Sequence, residues 1–222
     1  LKVVHLAEGR SELAQNEPSR LLKWSIAPKN VLAVHGIALA KKEAFRLGGL
    51  IWCPNSNLHL YGQTADVSNL KDVLPIVFGT DSTISSDWNL WKHIQEARET
   101  GYLSDSELFD SLIRVPSKLF GFKDRDQIMV GKKADIVIAR KKEENALDSF
   151  YHLNPSDILM IIKNGMVVLI DEQYRDLLGN DVREFEAIPN KTTTAKKLVR
   201  FKFEELHENL LKYHPKLILP DT

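Results

Sequence analysis

The chain has 222 residues, 43% of them hydrophobic and 27% charged, which suits a globular protein with a real core and excludes disorder for most of its length. Thirty Lys and Arg balance thirty Asp and Glu, so the basic surplus usual in nucleic-acid binders is absent and no nucleic-acid partner is expected. The single cysteine, Cys53, cannot form an internal disulfide, and no apolar run approaches the roughly 18 residues of a membrane span; the expectation is a cytoplasmic protein with no membrane partner.

The chain starts at Leu1, with neither a methionine nor a charged segment ahead of a long apolar run, so it reads as a fragment of something longer. In chain order, short apolar runs fall at 1–6 (LKVVHL), 31–34 (VLAV), 50–53 (LIWC) and 76–79 (IVFG). Each is bounded by turn formers and does not alternate cleanly, the pattern of strands buried on both faces. Between them, 19–24, 41–47 and 65–74 have helical character, with Pro18 read as the residue opening the first of these helices. The pattern predicts four consecutive βα units of a parallel sheet or barrel. Helices are then predicted at 88–100, where the pattern stops at Gly101, and at 104–112, which opens on a capping-box-like Ser104-Asp105-Ser106-Glu107; 116–120 adds a short turn. A β module follows over roughly 125–200, with a strand at 134–139 and a hairpin in which Asn164-Gly165 joins 158–162 to 166–170. A helical tail is expected at 201–222.

In a parallel α/β sheet, ligands meet the carboxyl ends of the strands. His5 ends the first run, with Glu8 three residues on; His35 ends the second; Cys53-Pro54-Asn55-Ser56-Asn57 ends the third; Asp81 follows the fourth. One histidine at a strand end is more often a satisfied core residue than a ligand. Two histidines, a glutamate and an aspartate at the same end of successive strands are harder to assign to chance. Imidazole and carboxylate suit a divalent metal such as zinc, and a free carboxylate beside the metal can move protons.

These motifs, in this order, resemble the C-terminal half of the amidohydrolase superfamily, in its cytosine deaminase, guanine deaminase and chlorohydrolase-like branch. His5-Leu6-Ala7-Glu8-Gly9 looks like the motif after the fifth barrel strand, Val34-His35-Gly36 the sixth-strand histidine, Trp52–Asn57 the seventh-strand segment, and Phe78-Gly79-Thr80-Asp81-Ser82 the eighth-strand aspartate motif. Gly131-Lys132-Lys133-Ala134-Asp135 is similar to the strand that returns the chain to a small β-sandwich. The resemblance implies strands 5–8 of a (β/α)8 barrel over 1–124, a small β-sandwich module over 125–200 and a tail over 201–222. It implies His5 and Asp81 as ligands of one divalent metal ion, zinc or alternatively iron, which the fragment alone need not retain. Glu8 would shuttle a proton to the substrate's leaving nitrogen, His35 would hydrogen-bond the attacking water or substrate oxygen, and Asp81 would be the base. Asn55, Ser56 and Asn57 would shape a loop near the substrate. The reaction class is hydrolysis of a C–N bond in a small-molecule substrate, of the deaminase or cyclic-amide type.

The two first-strand histidines that the family spaces H-x-H are missing: the seven histidines stand at 5, 35, 59, 93, 152, 207 and 214. The alternative is therefore a non-catalytic scaffold or binding protein on a degenerate barrel without its first metal-binding strand. A third reading, an open nucleotide-binding sheet, lacks a glycine-rich phosphate loop. Four strands of an eight-stranded barrel leave open edges, so the expected partner is the missing N-terminal half or a second copy in a homo-oligomer, and the fragment alone is expected to be inactive. His59, His93, His152, His207 and His214 are read as structural or solvated, Cys53 as a structural thiol, and Trp88 and Trp91 as helix-packing residues.

Overall fold

The computed structural model describes residues 1–24, 27–188 and 196–216, which divide into two compact units, Leu1–Asp126 and Gln127–Thr222. Residues 189–195 of the expected β module and 217–222 of the expected tail lie outside the described residues.

The first unit is a parallel sheet with helical crossovers. Its strands are β1 (Lys2–Leu6), β2 (Val31–His35), β3 (Gly49–Trp52) and β4 (Ile76–Phe78), in the spatial order β1-β2-β3-β4. Helix α1 (Glu12–Trp24) crosses from β1 to β2, and α2 (Lys41–Ala44) from β2 to β3. The β3-to-β4 crossover holds α3 (Pro54–Tyr61) and α4 (Val67–Leu70). Helices α5 (Leu90–Glu99), α6 (Asp105–Leu112) and α7 (Arg114–Phe120) follow β4. All of β2 and β4 is buried, and Leu32, Ala33, Leu50 and Trp52 are sealed from solvent, as continuous apolar runs in a parallel sheet require. The first run departs from that expectation. β1 has a neighbour on one side only, and Lys2 and Val3 are exposed, because an edge strand has lost half of its cover.

Two further expectations are corrected. Helix α1 begins at Glu12, seven residues ahead of the expected start, and Pro18 lies inside it. The Ala14 N–H bonds the Ser11 hydroxyl at 3.2 Å and the Gln15 N–H the Ser11 carbonyl at 3.0 Å, so Ser11 opens the helix. Helix α5 begins at Leu90, capped by the Asn89 side chain, which accepts from the Trp91 N–H at 3.0 Å; Trp88 precedes the helix and is half exposed.

Helix α6 carries the capping box read from the sequence: Ser104 and Glu107 satisfy each other's backbone N–H groups. Lys71, just past α4, reaches Glu107 at 2.8 Å. The Lys71 ammonium first, and then the Ser104 groups, hold the Glu107 carboxyl down from 4.5 to about 2. A carboxyl depressed in the folded state stabilises the fold above its unfolded pKa, and that stabilisation disappears as pH falls through the folded value. Glu107→Gln should therefore lower the urea midpoint at pH 7, and its deficit against the parent should shrink between pH 4.5 and pH 2. A deficit that does not change with pH over this window would show that the charge is not what Glu107 contributes.

The second unit holds β5 (Ile136–Ala139), α8 (Ala146–Tyr151), β6 (Ile158–Lys163), β7 (Met166–Asp171), β8 (Glu186–Ile188), β9 (Lys197–Val199) and α9 (Phe203–Tyr213). The strands form one antiparallel sheet in the order β5-β6-β7-β9-β8, and among the described residues no second sheet faces it. Asn164 (φ 52°) and Gly165 (φ 80°) make the left-handed pair of a two-residue hairpin between β6 and β7. Ile170, Leu178 and Leu198 form its small core, with Met160, Val182 and Phe185 packed against them; Leu178 comes from short 3₁₀ turns over Glu172–Glu184.

Candidate functional site

The carboxyl ends of the four parallel strands hold a rim of polar side chains. Its backbone is unusual. Among the described residues, four non-glycine residues have positive φ, and three of them stand at strand ends: Ala7 (55°), His35 (73°) and Asp81 (60°). Such conformations cost of order 1–3 kcal/mol each and persist where surrounding structure over-determines them. At the end of β1 the surroundings are clear. The Ala7 N–H donates to Glu17 Oε2 at 2.8 Å, and the Ala7 carbonyl accepts from the Ala38 N–H at 3.0 Å, so α1 and the segment after β2 both hold the turn that carries Glu8. Gly36, next to His35, has φ 62°, and a Cβ there would meet Leu50 Cδ1 at 2.6 Å; only glycine lets the chain turn against β3.

His35 is the centre of the rim. It is buried, 1% exposed, and its ring stacks on that of the exposed His5 with centroids 5.2 Å apart. Its Nε2 lies 3.6 Å from Glu8 Oε2 and its Nδ1 lies 2.8 Å from Asn57 Oδ1. Glu8 also accepts from the Tyr61 hydroxyl at 3.3 Å. Burial first, and then the Glu8 carboxylate, push the Tyr61 phenol up from its ordinary range.

Asp81 anchors the other end. The Ser56 hydroxyl donates to Asp81 Oδ2, and the Ser85 hydroxyl donates to the same oxygen at 3.1 Å. Burial alone would raise the Asp81 carboxyl, but the hydrogen bonds from Ser56 and Ser85, the His35 charge and the Ser82 N–H outweigh it and hold the carboxyl below its ordinary value. Asp81 therefore stays ionised at neutral pH. Beneath the rim, the Cys53 thiol is pushed up to about 12, first by burial and then by the charges of Asp81 and Glu8. That thiol is no nucleophile at neutral pH.

Asn55, Ser56 and Asn57 are not in a loop. They form the first turn of α3, with Pro54 at the position where a helix tolerates proline. Ser56 and Asn57 are fully buried and bond sideways to Asp81 and His35. Asn55 turns away: its side-chain N–H donates to the Glu96 carboxylate, and its oxygen accepts from the Asp87 N–H at 3.0 Å. It lines a separate open cleft of about 420 Å³ with His59, Ile84, Ser86, Asp87 and Glu96. His93 is sealed inside, with Nε2 against the Asp87 carbonyl, and His152 and His214 are exposed. Tyr61, Thr64, Ser85 and Glu17 were not legible as site residues. Each is a common residue at no diagnostic spacing, and the group it bonds stands 4 to 53 residues away in the chain.

Among the described residues, no group of three or more His, Cys, Asp and Glu side chains could hold a metal ion. The rim supplies acid–base groups and falls short of a complete donor set.

No protein-family model matches the chain, and no curated protein matches its sequence. Solved structures do match. One is a triazine hydrolase variant (TM-score 0.63, 19% identity, 75% of this chain and 43% of that one). Another is atrazine chlorohydrolase TrzN from Arthrobacter aurescens TC1 complexed with zinc (0.62, 19%, 75% and 43%). A third is Helicobacter pylori aminofutalosine deaminase in complex with methylthio-coformycin (0.60, 20%, 76% and 50%). The chain shares its fold with part of each of these structures. It spans 43–50% of their length. No described helix is long and apolar enough to cross a membrane.

Proposed function

We propose that this chain carries the acid–base half of a metal-dependent hydrolase acting on carbon–nitrogen bonds of a small heterocycle or cyclic amide, with β1–β4 standing as strands 5–8 of the barrel. The observation that carries the reading is the placement of Glu8, His35 and Asp81 just after β1, at the end of β2 and just after β4 of one parallel sheet, each held by hydrogen bonds or strained backbone. The zinc in the TrzN structure supports the cofactor, and the deaminase and chlorohydrolase neighbours support the reaction class.

A divalent metal at such a rim supplies Lewis acidity to the attacking water and lowers its pKa towards 7. In this reading His5 and Asp81 are this chain's contribution to its coordination. Two side chains are too few for a catalytic zinc, which usually takes three protein ligands, so the remaining donors come from elsewhere in the barrel. The proton work belongs to this chain. Asp81, ionised at neutral pH, takes a proton from the water as its oxygen bonds to the ring carbon. His35, through the ring nitrogen that faces the rim, accepts a hydrogen bond from the attacking water and orients it. Asp81 passes that proton on to the Glu8 carboxylate, which delivers it to the nitrogen whose bond to carbon breaks, and ammonia or an amine departs, leaving both carboxylates ionised as before. Ser56 and Asn57 serve the substrate through Asp81 and His35, whose orientation they set.

The test is ammonia release from a panel of amino-substituted heterocycles at neutral pH with zinc, using the protein expressed from its gene. Turnover should be measurable, and Asp81→Asn should remove it by at least about 10²-fold, the low end for a lost general base. A zinc-loaded protein without turnover on any member of the panel would favour the non-catalytic scaffold.

A further inference from the structure

We propose that Thr64 is a positioning residue for His35: acting through Asn57, it fixes which ring nitrogen of His35 carries the hydrogen.

A chain of hydrogen bonds runs from Trp52 through Thr64 and Asn57 to His35. The Trp52 indole N–H, sealed at the end of β3, donates to Thr64 Oγ1 at 2.7 Å. An indole N–H can only donate, so it orients the Thr64 hydroxyl with one lone pair occupied. The Asn57 side-chain NH₂ donates to the same oxygen at 3.1 Å. In this arrangement Thr64 Oγ1 accepts from both Trp52 and Asn57, so the Asn57 nitrogen faces Thr64 and its oxygen faces the other way. There Oδ1 meets His35 Nδ1 at 2.8 Å. An amide oxygen only accepts, so Nδ1 carries the hydrogen.

Free imidazole in a histidine side chain favours the opposite tautomer, with the hydrogen on Nε2. The Trp52–Thr64–Asn57 chain reverses that preference. In the neutral ring the Nε2 lone pair is left facing the rim, 3.6 Å from Glu8 Oε2, where it can accept a hydrogen bond. Trp52 and Asn57 are fully buried and His35 is 1% exposed, so water does not compete for the Asn57–His35 bond, whereas Thr64 itself is half-buried. The inference rests on the hydrolase reading only for its meaning in catalysis; the tautomer itself is a property of the fold.

The test is long-range ¹H–¹⁵N correlation NMR of the His35 ring, recorded at about pH 9, where an ordinary histidine is neutral. The parent should show the hydrogen on Nδ1. Thr64→Ser keeps the hydroxyl and should preserve that pattern. Thr64→Val keeps the shape, frees the Asn57 amide to turn over, and should move the two ring-nitrogen shifts towards each other. The Trp52 indole proton should shift in the same variant, reporting that its acceptor is gone. The proposal is overturned if the parent ring carries its hydrogen on Nε2, a result that needs no variant to fold. It is equally overturned if Thr64→Val folds and keeps the parent tautomer. A protein that shows the Nδ1–H pattern but never hydrolyses a substrate would support this proposal while the hydrolase reading fails.

Discussion

Replacing Glu8 by Gln is expected to cut turnover about 10²–10⁴-fold, the range for losing a positioned proton donor. The substitution is nearly isosteric. Gln can still accept from the Tyr61 hydroxyl and still faces His35, so the turn held by Glu17 and Ala38 should keep its shape. What it cannot do is give up a proton. The loss should therefore fall on kcat, with KM little changed, and an unaltered thermal midpoint should accompany it. Glu8 is argued to move a proton and not to bind a metal, so metal content should be the same in parent and variant. Undiminished turnover on ammonia release would remove Glu8 from the chemistry. A variant that lost its metal as well would reassign it as a ligand.

The largest stability effect is expected in β3. Leu50 is sealed from solvent in a strand paired on both sides, opposite Ala33 of β2 and Ile76 of β4, and its side chain fills the space that Gly36 leaves. Leu50→Ala removes three carbons from a place where the neighbours are strands and cannot close in. The cost should be about 2–5 kcal/mol, read as a lower urea midpoint at unchanged slope. Val3, in the edge strand β1, is 54% exposed, and Val3→Ala should stay within about 0.5 kcal/mol. A Leu50→Ala loss no larger than that of Val3→Ala would mean that the sheet is not the unit's core.

The strand ends could be read from the sequence because the signal is local. A short apolar run followed at once by His, Glu or Asp puts that side chain at the carboxyl end whatever the rest of the chain does. That reading places His5, Glu8, His35 and Asp81 at strand ends; the structure stacks His5 on His35, sets Glu8 beside His35, and puts Asp81 after β4. Helix α3 was missed for a local reason too. Pro54-Asn55-Ser56-Asn57 has the composition of a turn, and composition does not reveal that Ser56 and Asn57 will be buried beside Asp81 and His35. The start of α1 is misplaced because proline usually opens helices, whereas here Ser11 does so about two turns ahead of Pro18. The exposure of β1 was illegible because burial depends on neighbours that lie outside the strand's own pattern. Thr64 and Tyr61 belong to the same class: each has its role through a partner 7 to 53 residues away.

In the proposed function, His5 and Asp81 face one ligand position to which this chain supplies only part of the coordination. The most direct measurement is a zinc titration of the 222-residue chain followed by NMR of the His5 ring and the Asp81 backbone. The expected result is that both sets of signals move together along a single weak isotherm, without stoichiometric uptake, because two donors do not make a closed zinc site. Tight one-to-one binding would contradict the account, and so would zinc that moves His5 while leaving Asp81 untouched.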